Sequence, residues 1–176
     1  MVRTVVETAR GRVPVMAGAS SNDTREAVAE ARRMAALGVT WILSATPYYN
    51  KPTPEGLVQH FTAVADASPV PVCLYNVPGR TAVNMKPDTV LRLAGHDNII
   101  GIKESSGDLA QVQHLLLGRP DGFAVLSGED WMTLAILAAG GDGLVSVAAN
   151  EIPGLMRHLV HSALRGKVAD AREVLF

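Results

Sequence analysis

Short apolar runs alternate with amphipathic stretches along almost the whole chain, and this alternation restricts the fold more than any other feature. The runs read as strands at 13–18, 39–45, 70–75, 99–103, 123–127 and 144–148. Each is nearly continuous in Val, Ile, Leu, Ala and Cys rather than alternating with polar residues. A strand of that kind is buried on both faces, as in a parallel sheet covered by helices. The intervening stretches carry apolar residues at helical spacing and recognisable ends. Val2, Val5, Val6 and Ala9 form one helical face that Gly11 closes, and the pattern reads as the end of a helix. Ser20 to Asp23 offer N-caps for a helix through Leu37, stopped by Gly38. Thr53 caps a helix with Pro54 at its first position and Leu57, Phe61, Val64 and Ala65 on its inner face. Further helices are predicted from Pro87 through Ala94, from about Asp108 to Leu117, from Glu129 to Ala139, from Pro153 to Leu164, and from Lys167 to the terminal Phe176.

Two architectures accommodate such a series: a doubly wound sheet and a (β/α)₈ barrel. A doubly wound dinucleotide fold carries a glycine-rich turn after its first strand. Ala17-Gly18-Ala19-Ser20-Ser21 is not G-x-G-x-x-G, and no other strand exit supplies one. The barrel fits better, although six strand–helix units fall short of eight.

Size and composition bound the function classes. At 176 residues, 48% hydrophobic and 19% charged, the chain can bury one core and forms a single domain over residues 1–176. A formal net charge of -1, with no run of Lys or Arg, removes the electrostatic case for nucleic acid. The one cysteine, Cys73, lies in a strand-like run, so it is expected to be buried and inert in a reducing compartment. No apolar run is long enough to span a bilayer, and the early Glu7 does not suit a signal peptide. The expectation is a cytoplasmic protein with no membrane partner.

The catalytic end of such a barrel is the rim at the C-terminal ends of its strands. There the sequence gathers Tyr48 and Tyr49, Tyr75 and Lys103. The run Ile99-Ile100-Gly101-Ile102-Lys103 places an amine where a buried strand stops. Burial penalises an ammonium, and a free amine is a nucleophile towards ketones. Schiff-base chemistry also needs a proton shuttle, and a tyrosine hydroxyl can relay a proton while staying neutral. In a barrel the strands of Tyr75 and Lys103 are neighbours. Arg80, five residues past Tyr75, offers a fork for a substrate carboxylate.

Four blocks then carry a resemblance. They are Thr46-Pro47-Tyr48-Tyr49-Asn50-Lys51-Pro52, Leu74-Tyr75-Asn76-Val77-Pro78-Gly79-Arg80-Thr81, Gly101-Ile102-Lys103-Glu104-Ser105-Ser106-Gly107 and Leu126-Ser127-Gly128-Glu129-Asp130. In order and spacing they resemble the dihydrodipicolinate (4-hydroxy-tetrahydrodipicolinate) synthase family, of the pyruvate-dependent class I aldolase superfamily that includes N-acetylneuraminate lyase. The resemblance implies a lyase that condenses pyruvate with L-aspartate 4-semialdehyde on the diaminopimelate route to lysine. It implies Lys103 as the Schiff-base lysine, Tyr75 as the proton donor and acceptor beside it, and Tyr49 as the relay residue reaching into a neighbouring subunit. Arg80 matches the arginine that holds the aldehyde's carboxylate, and Gly128 and Val145 match positions whose backbone lines the pyruvate pocket. Asn22, Glu26 and Tyr48 match the inhibitory lysine site of regulated members. Neither a metal nor an organic cofactor is implied, and the assembly is a homo-oligomer, a dimer of dimers when complete. Family members are longer at both ends. The resemblance therefore implies strands three to eight of a barrel, lacking two strands, a Gly-Thr-Thr-Gly-Glu-type loop and a C-terminal helical segment.

Other readings stand beside this one. The chain could be another pyruvate aldolase, of the N-acetylneuraminate lyase or 2-keto-3-deoxy sugar acid type, or a non-catalytic remnant. The Arg80 element favours an acceptor with a carboxylate and few hydroxyls over a sugar. The five histidines show no ligand arrangement. Glu129 and Asp130 suit a helix N-terminus, where carboxylates meet the positive end of the dipole. Trp41 and Trp131 read as core residues.

Overall fold

The computed structural model describes residues 1–174; Leu175 and Phe176, the end of the predicted last helix, lie outside them. A helix α1 (Val2–Ala9) leads into β1 (Met16–Gly18) and α2 (Thr24–Ala36). Then follow β2 (Trp41–Ala45), α3 (Pro54–Ala67), β3 (Val72–Asn76), the single turn α4 (Pro78–Thr81) and α5 (Pro87–Leu93). The second half contains β4 (Ile99–Glu104), α6 (Leu109–Gly118), β5 (Ala124–Ser127), α7 (Thr133–Ala138), β6 (Gly143–Leu144), α8 (Pro153–Leu164) and α9 (Val168–Arg172).

The six strands form one parallel sheet in the order β1-β2-β3-β4-β5-β6. A doubly wound sheet reverses its order at a switch point; this one never does. Right-handed crossovers repeated in one direction leave every helix on the same side of the sheet and curl it towards a barrel. The result is an open, curled part of a barrel.

The two faces of the sheet differ accordingly. Ile42, Ser44, Val72, Leu74, Ile102 and Val125 point at the helices and are fully buried. All but Ser44 pack with Phe61 and Val64 of α3, Leu93 of α5 and Leu115 of α6 in one core. On the opposite face Trp41, Leu43, Ala45, Tyr75, Ala124 and Leu126 are only half-buried. Apolar residues line both faces, so the continuous runs are explained, but only the helix side is closed over.

Capping decides where several helices begin, as expected. The Asp23 carboxylate accepts from Arg25 N–H and starts α2, and the Thr53 hydroxyl accepts from Gly56 N–H and starts α3. Asp108 does the same for α6 through Gln111 N–H. Gly38, at φ 87°, supplies the left-handed turn that ends α2.

Three expectations need correction. The strand foreseen at 144–148 is only Gly143–Leu144, because the backbone leaves the sheet there. The Asp130 carboxylate accepts the N–H groups of Val147 and Ala148 at 3.2 and 3.0 Å, and a 3₁₀ turn (Ala148–Asn150) follows. That also gives Asp130 a loop-anchoring role rather than a helix-dipole one. Trp131 is not core but 67% exposed, since the stretch after β5 opens with a 3₁₀ turn (Asp130–Met132) before α7. In the segment after Tyr75, Pro78 starts the single turn α4.

Candidate active site

Register brings the predicted residues of β3 and β4 together. Ala45 is level with Tyr75, Tyr75 with Lys103, Lys103 with Leu126, and Leu126 with Gly143. In a parallel ladder, level residues point to the same face, here the one the helices leave open. Lys103 is thus an amine in a row of apolar and aromatic groups near the C-terminal rim. Its Nζ lies 4.1 Å from the centroid of the Tyr75 ring, within cation–π range. The residue is 9% exposed, so most of its stem is shielded while one side of the row stays open.

Gly128 completes the wall on the other side. A Cβ at this position would lie 2.8 Å from Lys103 Cε and 1.9 Å from Ser105 Oγ. A side chain there would have to displace Ser105 and the lysine stem, and as it stands the bare backbone lies against the lysine. The Gly128 N–H donates to the Glu104 carbonyl at 2.8 Å, and Val145 N–H donates to the Ser127 carbonyl at 2.9 Å. Both positions that the resemblance places on the pocket therefore sit just past the ends of β5 and β6, Gly128 beside Lys103.

Behind the row, on the helix side, lies a buried polar network that sequence reasoning did not single out. The Glu104 carboxylate accepts from Ser106 N–H at 2.6 Å, from Asn76 Nδ2 at 3.0 Å and from Gln111 Nε2 at 3.3 Å. Asn76 in turn accepts from Met85 N–H and bonds Asn84, which also pairs with Gln111. Burial pushes the Glu104 carboxyl up from its usual range, while bonds from Ser106, Asn76 and Gln111 pull it down. Asn76 and Glu104 each follow a site residue by one, and because both strands run on past Tyr75 and Lys103, alternation aims both at the opposite face.

The remaining candidates lie further out. Arg80 is exposed on α4. That turn is tied to the rim because the Thr46 hydroxyl donates to Thr81 Oγ1 at 3.0 Å, both groups being buried. Tyr49 stands 88% exposed with φ 71°, directed into solvent rather than onto Lys103. Tyr48 and Glu26 share an open cleft of about 550 Å³ with Gly18, Ser20, Glu30 and Arg33. Asn22 sits beside this cleft, its carbonyl accepting from Asn50 Nδ2 at 3.0 Å. Cys73 is buried, and burial pushes its thiol up to about 12, as the inert reading requires.

Comparison with known proteins bears on this arrangement. The model of the dihydrodipicolinate synthetase family matches residues 1–175. The 4-hydroxy-tetrahydrodipicolinate synthase of Koribacter versatilis is 52% identical over 175 residues, spanning 99% of this chain and 58% of the relative. Among solved structures, the chloride-inhibited dihydrodipicolinate synthase of Acinetobacter baumannii complexed with pyruvate superposes with a TM-score of 0.96 at 39% identity, over 99% of this chain and 60% of that one. The enzyme from Cyanidioschyzon merolae with lysine bound gives 0.94 at 38%, again over 99% and 60%.

The site is thus an open parallel sheet with a lysine near the end of its fourth strand and a tyrosine level with it. The chain belongs to the dihydrodipicolinate synthetase family. It spans about three fifths of the length of the relatives it matches.

Proposed function

We propose that this chain supplies the Schiff-base half of a 4-hydroxy-tetrahydrodipicolinate synthase, condensing pyruvate with aspartate semialdehyde. The observation that carries the reading is the level pair on β3 and β4, Lys103 Nζ over the Tyr75 ring at 4.1 Å. The amine attacks the ketone of pyruvate. Tyr75, with Tyr49 contributed across a subunit contact, moves the protons of carbinolamine formation and dehydration. The resulting enamine attacks the aldehyde, whose carboxylate Arg80 holds from the mouth. Gly128 and Val145 present backbone to the pyruvate unit. The lysine itself acts as electron sink, so the reading needs no metal or organic cofactor.

In the barrel of this family the six strands correspond to strands three to eight. The exposure of Tyr49 suits a residue completed by a second copy, in a homo-oligomer. The cleft bearing Tyr48 and Glu26, with Asn22 at its edge, is the proposed seat of inhibitory lysine; the lysine-bound relative supports it.

Borohydride reduction in the presence of pyruvate tests the central claim. A stable adduct located on Lys103 by peptide mass mapping is expected, absent in Lys103→Ala and slowed roughly tenfold or more in Tyr75→Phe. A folded chain that forms no adduct is a remnant. Adduct formation followed by condensation with sugar aldehydes but not with aspartate semialdehyde would assign the chain to the sugar-acid aldolases instead.

A further inference from the structure

Ser105 follows Lys103 by two residues, so strand alternation puts its side chain on the same open face. The ladder still holds at this point, because Ser105 N–H donates to the Asn76 carbonyl at 2.8 Å. Its hydroxyl is buried and has no hydrogen-bond partner among the described residues. The missing side chain of Gly128 shows where that hydroxyl lies. The point a Cβ would occupy is 1.9 Å from Ser105 Oγ and 2.8 Å from Lys103 Cε. The hydroxyl and the carbon bearing the amine thus both lie against the bare backbone of Gly128.

An unsatisfied buried hydroxyl costs free energy, and such groups call for an explanation where they occur. Here the explanation is at hand: a donor kept unoccupied beside a nucleophile is ready to bond an oxygen that arrives with the substrate. We propose that Ser105 is a further substrate-contacting residue, its hydroxyl donating to the ketone oxygen of an α-keto acid while Lys103 Nζ attacks the adjacent carbon. In that step the Nζ lone pair forms the C–N bond and the carbonyl π pair moves onto oxygen. Nζ loses one proton and the oxygen gains one, so N–H adds across C=O with no other reagent. Ser105 keeps its own proton and stabilises the charge as it builds. The proposal rests on the reading of Lys103 as the Schiff-base lysine.

Ser44 provides an internal control. It too is buried with an unpartnered hydroxyl, but it is level with Leu74 and so faces the helices. Removing either hydroxyl deletes an unsatisfied polar group, so Ser105→Ala and Ser44→Ala should both leave the thermal midpoint unchanged or raised. The limiting rate of borohydride-trapped pyruvate adduct on Lys103 should fall roughly tenfold or more in Ser105→Ala alone. Trapping at the unaltered rate in Ser105→Ala overturns the proposal and leaves the Lys103 reading intact. So does slow trapping accompanied by a lowered midpoint, which marks a structural residue. An unaltered chain that traps nothing overturns both.

Discussion

Single residues show how far burial redirects ordinary chemistry in this fold. His60, at the core side of α3, is 4% exposed. Its Nδ1 shares a hydrogen bond with Thr24 Oγ1 at 2.9 Å, while Nε2 has no partner among the described residues. Burial lowers its pKa from the ordinary 6.5. The unfolded chain therefore takes up this proton before the folded one does. The contribution is fully present at pH values above about 6.5 and is lost as the pH falls through and below that value. Urea midpoints measured from pH 7.5 to 5.5 should fall more steeply for the native sequence than for His60→Gln, which keeps a group able to bond Thr24; parallel curves would refute this origin. Lys103 and Tyr75 were both legible in the sequence because a charged or phenolic residue ending an apolar run is conspicuous. Ser105 and Glu104 were not, since a serine and a glutamate after a lysine look like the start of a solvated loop. Only burial, 8% exposure for Ser105 and 2% for Glu104, reveals that the strand and its alternation continue past the lysine.

At the scale of elements, β3 and β4 are joined twice, by their ladder and by side chains on the helix face. Asn76 is the hinge of the second connection: it donates to Glu104, accepts from Met85 N–H and bonds Asn84. The network fastens α6 and the 77–85 segment, which carries Arg80, to the strands of Tyr75 and Lys103. Asn76→Ala would strand the Met85 N–H and take a donor from a buried carboxylate. A loss of about 2–4 kcal/mol in urea unfolding is expected, and a loss under about 0.5 kcal/mol would show that the network is incidental. Helix starts were readable because the caps are local: Asp23, Thr53 and Asp108 each bond an N–H two or three residues on. The extent of β6 was not. Its early end depends on Asp130, seventeen residues before Val147, and no pattern within 144–148 signals a distant carboxylate.

The whole molecule is a sheet with one finished face. Among the described residues β1 pairs only with β2, and β6 only with β5, so each outer strand presents an unpaired edge. The face bearing Trp41, Leu43, Ala124 and Leu126 leaves those side chains only half-buried among the described residues. Open edges beside half-exposed apolar groups favour association. The purified chain should sediment as concentration-dependent oligomers at micromolar concentration, and a monodisperse monomer would contradict this. From the residues themselves came the alternation of strand and helix, the parallel sheet, and the lysine and tyrosine at neighbouring strand ends. All are properties of local pattern, periodicity and spacing, which a chain carries before it folds. Tertiary structure alone decided that the strand order never reverses, that Lys103 lies over Tyr75 and against Gly128, and that the buried Ser105 hydroxyl lies against the same glycine. Those depend on which distant residues share a face and a register, and sequence spacing does not specify that until the sheet has formed.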